Sequence, residues 1–160
     1  MEITQDKLKE LFDYHPDGFL VWKKQISSRA KIGEKAGANT YSPKGYRVVD
    51  LYKKTRAQHR LIFLWHHGHF PVCIDHANGI RTDNRIENLR EATNRQNCMN
   101  RAKLANKTLP KGVYKKGKKV CAMIRVHQKN IWLGTYTYID DAQQAYKEAA
   151  TKHFGEFARF

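Results

Sequence analysis

Residues 75 to 97 carry side chains that can do chemistry. Asp75 and His76 are adjacent at the end of an apolar run, and Asn88 and Asn97 follow. Carboxylate, imidazole and amide groups are those used for proton transfer and for binding hard cations. If a helix packs across a hairpin here, Asp75 and Asn97 point into one cleft with His76 opposite. A core histidine beside a solvated aspartate is the alternative interpretation.

Apolar spacing and turn residues predict the elements that must position these side chains. Thr93 to Gln96 has the spacing of a capping box, so a helix is expected from there to about Lys103. The other predicted elements, in chain order, are a helix after Thr4, strands at 19–22 and 46–52, a helix at 57–67, strands at 72–76, 89–92, 113–114, 120–126 and 131–136, and a helix at 140–154.

The charge of the chain favours nucleic acid as a partner. Its 160 residues include 30 Lys and Arg against 15 Asp and Glu, a net charge of +15. Residues 101–160 hold 13 basic and 4 acidic residues (+9), and residues 1–100 hold 17 and 11 (+6). A basic but otherwise ordinary surface is the alternative. The excess at the C-terminal end indicates a dedicated binding module.

Other composition features limit the class of protein. There is no apolar run of 18 residues and no basic-then-apolar leader, so we expect a cytoplasmic protein without membrane contact. The three cysteines form no CxxC pair, and Cys73 and Cys121 are expected to be buried. Four histidines precede the site and are expected to be solvated or to face DNA: His59, His66, His67 and His69.

Several segments between residues 57 and 100 together resemble the HNH nuclease motif, in its phage and intron-encoded homing-endonuclease form. They are Arg60-Leu61-Ile62, Ile74-Asp75-His76-Ala77-Asn78-Gly79, Asp83-Asn84-Arg85-Ile86-Glu87-Asn88-Leu89-Arg90 and Asn94-Arg95-Gln96-Asn97. A pair like His59-Arg60 is common in this nuclease family just before the motif, where it implies a supporting role.

The resemblance implies a role for each residue. His76 would be the general base, and Asp75 and Asn97 would hold one Mg²⁺ (or Mn²⁺) through oxygen atoms. Asn88 would brace the loop and hydrogen-bond His76 or the DNA backbone, although a satisfied loop asparagine is an equal alternative. Because Asn97 stands where many HNH enzymes have histidine, a hard ion is favoured over zinc.

The C-terminal residues resemble the ethylene-response-factor (APETALA-type) DNA-binding domain. The match runs from residue 110 to 158 through Lys111-Gly112-Val113-Tyr114, Ala122-Met123-Ile124-Arg125, Ile131-Trp132-Leu133-Gly134-Thr135-Tyr136, Asp141-Ala142, Ala145-Tyr146, Ala149-Ala150 and Phe154-Gly155-Glu156-Phe157-Ala158. It implies a sheet that enters the major groove, with Arg125 and Trp132 at contacting positions. Lys119 and Lys129 would extend that surface. Arg125 can read guanine or grip phosphate, and a core tryptophan is the alternative for Trp132.

The N-terminal residues are basic as well. Lys44 and Arg47 lie on or beside a predicted strand and loop and are expected to contact the DNA backbone. A soluble cover over the nuclease core is the alternative for this region.

These patterns predict an α+β chain with four parts. They are an N-terminal strand and loop extension (1–56), a ββα-metal HNH core (57–103), a linker (104–110) and a three-stranded antiparallel sheet packed on one helix (111–160). The expected function is a metal-dependent endonuclease that nicks double-stranded DNA as a monomer, with no protein partner, in the host cytoplasm if a phage encodes it. A DNA-binding regulator with an inactive nuclease fold is the main alternative, and an RNA-binding protein is a third.

Overall fold

The computed structural model of the chain describes residues 3–101 and 108–160. Contacts between Cα atoms divide the chain into two units, Met1–Thr93 and Asn94–Phe160. Most of the predicted linker (104–110) falls outside the described residues. The helix expected to reach about Lys103 ends earlier, at Met99, where the Arg101 nitrogen bonds the Cys98 carbonyl in a turn. No helix within the described ranges is long and apolar enough to cross a membrane.

The first unit consists of short antiparallel strand pairs and two helices. The strands pair in sequence order, β1 with β2, β3 with β4 and β5 with β6. The elements are α1 (Gln5–Leu11), β1 (Phe12–His15), β2 (Phe19–Trp22), β3 (Val48–Leu51), β4 (Lys54–Ala57), α2 (Gln58–His67), β5 (Cys73–His76) and β6 (Leu89–Ala92).

The ends of both helices follow from local chemistry. The Thr4 side chain accepts a hydrogen bond from the Lys7 backbone nitrogen at 3.3 Å and caps α1. Gly68 ends α2 with a φ of 77°, a conformation that glycine adopts at little cost. Buried apolar side chains of α1 and α2, among them Leu8 and Leu61, share one hydrophobic core with the strands. The predicted helices at both places are confirmed.

The strand predicted at 46–52 exists, but its partner was not predicted. β3 pairs with β4, and Leu51 stands opposite Lys54. Tyr52 and Lys53 both have positive φ, 52° and 60°, which is the backbone of a type I′ hairpin turn. Because this turn carries neither asparagine nor glycine, its sequence gave no hairpin signal.

The second unit contains the predicted three-stranded sheet with one helix packed on it. The strand order is β7-β8-β9, antiparallel throughout. Val120, Ala122, Ile124 and Val126 form the buried face of β8, as predicted, and pack with helix residues that include Ala142, Tyr146 and Ala150. The elements are α3 (Asn94–Met99), β7 (Val113–Lys116), β8 (Lys119–Val126), β9 (Lys129–Tyr136) and α4 (Ile139–Phe154).

Two smaller predictions have different outcomes. Cys121 is buried as expected, whereas Cys73 is only half-buried, because it is the first residue of β5. The second unit begins at Asn94 and therefore includes α3, whereas the predicted nuclease core runs on to residue 103. These structural units do not test where the functional domains begin and end, so the predicted domain boundaries stay predictions.

The turn between β1 and β2 makes a close approach that generates a stability prediction. Gly18 has a φ of 80°, and a Cβ there would overlap the backbone of Asn84 and Arg85. Gly18→Ala should therefore lower the free energy of unfolding by about 2 to 3 kcal/mol, through backbone strain and through the clash. Urea unfolding followed by circular dichroism measures this loss.

Gly33→Ala is the matched control. Gly33 has nearly the same φ, 82°, but no atom lies within 4 Å of its added Cβ. Gly33→Ala should lower the free energy of unfolding by only the backbone strain, about 1 kcal/mol. If both variants lose the same free energy of unfolding, the close contact of residue 18 with the backbone of residues 84 and 85 does not contribute to the loss.

Candidate active site

Asp75 and His76 lie at the end of β5, where the β5–β6 hairpin opens into its loop. Asp75 stands opposite Arg90, and His76 stands opposite Leu89. Both side chains are buried, with 2% and 5% of their surface exposed. The interpretation of Asp75 as a solvated aspartate is therefore wrong.

Arg90 pairs with the buried Asp75 carboxylate. Its Nε and a terminal guanidinium nitrogen donate to the same oxygen, Oδ2, at 2.9 and 2.7 Å. A buried carboxylate needs such a partner, because burial of an uncompensated charge is costly. The cross-strand register of β5 and β6 supplies the partner directly.

Asn88 braces the loop that joins the two strands. Its Oδ1 accepts from the Asn78 backbone nitrogen at 2.9 Å, and its Nδ2 donates to the Asp83 carbonyl at 2.7 Å. Its own carbonyl accepts from the Ala77 nitrogen at 2.9 Å. These contacts agree with a bracing role and equally with a satisfied loop asparagine, so the role of Asn88 stays a prediction. The side-chain contact to His76 is made by a different residue.

That residue is Asn84, which the sequence interpretation did not single out. His76 Nε2 lies 3.0 Å from Asn84 Oδ1, and Asn84 Nδ2 lies 3.3 Å from Gln58 Oε1. Gln58 Nε2 in turn donates to the Ala36 carbonyl at 2.8 Å. Asn84 and Gln58 are both fully buried. We call these four residues the buried polar chain.

The buried polar chain has one direction, because its last member can only accept. The Ala36 carbonyl requires the Gln58 amide nitrogen, so Gln58 presents its oxygen to the Asn84 nitrogen. Asn84 therefore presents its own oxygen to His76, and Nε2 of His76 must carry a hydrogen to complete the bond. In the neutral imidazole the lone pair is then on Nδ1.

The surroundings of His76 favour its neutral form. Burial lowers its pKa below the ordinary value, an effect opposed by the bond to Asn84 and by the charge of Asp75. The His59 ring meets it edge-on with ring centroids 5.2 Å apart, and the Tyr46 ring lies 5.9 Å away. A neutral imidazole can accept a proton near neutral pH.

His59 differs from the sequence expectation, because it is buried rather than solvated. Burial, followed by the proximity of His76, lowers its pKa to about 3. Its Nδ1 is enclosed without a hydrogen-bond partner. His66 is half-buried, while His67 and His69 are exposed as expected. His59 lies on the buried side of α2, beside Gln58 of the buried polar chain.

The donor chemistry of this site fits a hard cation. Asp75 offers a buried carboxylate that is paired with Arg90. Within residues 3–101 and 108–160, no group of three or more His, Cys, Asp or Glu could hold a metal. A single carboxylate suits a hard cation that keeps much of its water, and the identity of any ion stays a prediction.

The other predicted site residues are distributed over both units. Asn97 lies on α3 in the second unit. Lys44 is exposed, and its carbonyl accepts a hydrogen bond from Arg81 at 2.9 Å. Arg47 is half-buried, donates to the Ala38 carbonyl at 3.0 Å and covers the Tyr41 ring. Arg47 thus has a structural contact that the sequence did not indicate. The DNA contacts of Lys44, Arg47 and the other residues named above stay predictions.

The predicted binding face of the C-terminal sheet is exposed. Trp132 is 51% exposed and meets Tyr114 edge-on, so the core interpretation of this tryptophan is wrong. Trp132 stands opposite Met123, which places it on the same face as Arg125. Lys119 is exposed at the start of β8. Lys129 stands opposite the buried Val126, on the side of the sheet that faces α4, and so differs from its expected place beside Arg125.

The buried His59 generates a prediction about pH. Its folded pKa of about 3 lies below the ordinary 6.5, so the unfolded chain binds a proton that the folded chain excludes. Stability should therefore fall as pH drops from about 6.5 towards 3, by up to about 1.4 kcal/mol per pH unit for this group. His59→Gln should reduce this loss of stability at low pH. Urea unfolding at a series of pH values measures the effect.

The exposed His69 provides the control. His69→Gln removes an exposed histidine that contacts Glu91 at 3.4 Å, and should change the dependence of stability on pH much less than His59→Gln. If His59→Gln and the wild type lose the same free energy of unfolding as the pH falls, His59 is not the group whose protonation lowers stability.

Residues 56–99 match the family model described as HNH endonuclease. No curated protein and no solved structure matches the chain. The matched residues include the β5–β6 hairpin, Asp75, His76, Asn84, Asn88 and Asn97. This part of the chain is therefore similar to an HNH nuclease domain, which suggests a nuclease that acts on DNA.

Proposed function

We propose that this protein is a metal-dependent DNA endonuclease that uses His76 as its general base. The observation that carries the proposal is the hydrogen bond from His76 Nε2 to Asn84, inside a segment that matches the HNH endonuclease family. It gives the histidine the tautomer in which Nδ1 accepts a proton.

Each residue has a defined task in the proposed reaction. His76 Nδ1 takes a proton from the attacking water, and Asn84 and Gln58 hold the ring in place during the transfer. Asp75 and Asn97 would hold one Mg²⁺ or Mn²⁺, with Arg90 orienting the Asp75 carboxylate. A bound ion of this kind neutralises charge that develops on the phosphate and the leaving 3′ oxygen. Asn88 keeps the loop closed through Asn78 and Asp83.

We further propose a homing-type enzyme that acts as a monomer and nicks one strand. One His76 per chain supports a single cut, because cleavage of both strands needs a second site or a repositioned enzyme. The sheet of the second unit would bind double-stranded DNA through Arg125, Trp132 and Lys119. This assignment is supported by the exposure of these three side chains and by the resemblance to the ethylene-response-factor domain.

Cleavage of a supercoiled plasmid tests the role of His76. In Mg²⁺ the wild-type protein should produce open circles, and EDTA should stop the reaction. His76→Ala should lose at least about 100-fold in rate, because general-base catalysis contributes about that much or more. Gel electrophoresis over a time course measures the rate, on plasmids that carry DNA from the protein's own source.

One control variant and three contrasting outcomes make the cleavage result decisive. His69→Ala removes an exposed imidazole and should cut at the wild-type rate. Wild-type turnover by His76→Ala would contradict the general-base assignment, and linear product at early times would contradict the nickase. Tight binding of the plasmid without cutting by the wild type would instead favour the non-catalytic regulator.

The buried polar chain predicts a rate effect at Asn84. Asn84→Leu removes the acceptor for His76 Nε2 and should lower kcat about 10- to 100-fold, as expected for the loss of a group that orients a reacting residue. Asn84→Asp keeps an acceptor oxygen and should retain more activity than the leucine variant. Single-turnover cleavage measures the chemical step, and Kd for DNA in EDTA should be the same for both variants.

A purely structural role for Asn84 would give a different pattern. Both substitutions would then lower the thermal midpoint together, with activity following the fraction folded. Equal kcat for Asn84→Leu and wild type, in fully folded protein, would contradict the orienting role.

A further inference from the structure

The second unit contains a basic cavity that the proposed active site does not use. Its volume is about 730 Å³, within the range of roughly 300–1,000 Å³ typical of ligand sites. Four basic side chains line it: Arg95, Arg101, Lys111 and Arg125. Among its lining residues that the structure describes there is no aspartate or glutamate. The cavity thus presents concentrated positive charge without an internal counterion.

Lys111 fixes the shape of the cavity. Its Nζ donates to the carbonyls of Met99 at 3.0 Å and Arg159 at 2.9 Å, so it joins the end of α3 to the C-terminal segment. Burial lowers the pKa of Lys111, and the nearby Arg159 guanidinium lowers it further. An anion in the cavity would relieve this repulsion between like charges.

The other lining residues combine apolar and polar groups. Met99, Tyr146 and Phe154 are apolar or aromatic, whereas His127 and Gln128 are polar. A sugar–phosphate chain offers the same combination, because its apolar deoxyribose faces lie next to charged phosphates. Guanidinium groups match the geometry of phosphate oxygens, two donors to one group.

We propose that this cavity binds the sugar–phosphate backbone of DNA, with Arg95 and Arg101 gripping phosphates. The inference rests on the proposed function, because it identifies the ligand as the same DNA that the nuclease would cut. The cavity would extend the DNA contacts of the predicted sheet surface, because Arg125 belongs to both the sheet and the cavity lining. Contacts of this kind hold DNA independently of sequence.

The dependence of DNA affinity on salt tests the proposal. The full chain is titrated with a mixed-sequence 20-base-pair duplex in EDTA, and fluorescence anisotropy gives Kd at several NaCl concentrations. The double variant Arg95→Ala/Arg101→Ala should bind at least about 10-fold more weakly near 0.1 M NaCl. Its slope of log affinity against log salt should be shallower by about 1.8, or 0.9 for each lost phosphate contact.

Two further variants separate the cavity from general surface charge. Lys147→Ala/Lys152→Ala removes the same charge from α4 outside the cavity and should leave the slope near its wild-type value. Cys98→Trp fills the cavity from an exposed lining position without a change of charge, and should weaken binding although both arginines remain. Wild-type affinity in Cys98→Trp, or equal slopes in the two double variants, would overturn the proposal.

A titration with inorganic phosphate tests whether the cavity binds a free phosphate ion or the phosphates of a DNA backbone. Calorimetric titration with phosphate, at constant ionic strength, should show binding much weaker than that of the duplex. Binding of phosphate with no effect of the cavity variants on DNA affinity would identify a small-anion site and contradict a DNA grip. Because all binding is measured in EDTA, failure of the plasmid cleavage test would leave this result unaffected.

Discussion

The arrangement of the candidate site depends on a hydrogen bond that ends on a backbone carbonyl. The Ala36 carbonyl cannot donate, so it fixes the orientation of Gln58, then of Asn84, and then the tautomer of His76. Each amide in this series is buried, and a reversed amide would leave two buried groups unsatisfied. The N-terminal loop thus determines which nitrogen of His76 carries the hydrogen in its neutral form.

Charge is used differently in the two units. In the first unit, the buried Asp75 carboxylate is compensated by its pairing with Arg90. In the second unit, cations line an open cavity and an exposed sheet face without acidic partners among the described lining residues. Compensation holds reacting groups in fixed positions, while uncompensated charge attracts a polyanion over longer distances.

Much of the fold could be predicted from local patterns. The periodicity of β8, the alanine-rich α4 and the strand ending in Asp75-His76 all lie where sequence spacing indicates. Asn84 could not be identified in this way, because its partner Gln58 is 26 residues away and the contact depends on packing of α2 against the loop. The hairpin of β3 and β4 was missed because Tyr52 and Lys53 adopt positive φ without the glycine or asparagine that usually marks such a turn.

The close approach of Gly18 to the backbone of Asn84 and Arg85 has a consequence for modularity. The segment that matches the nuclease family begins at residue 56, yet its histidine is oriented through Ala36 and its loop rests on the β1–β2 turn. A transplant of the matched segment alone into another scaffold would leave the imidazole without its external support. Recombination that exchanges the matched segment would therefore have to carry the N-terminal hairpin and the loop around Ala36 with it.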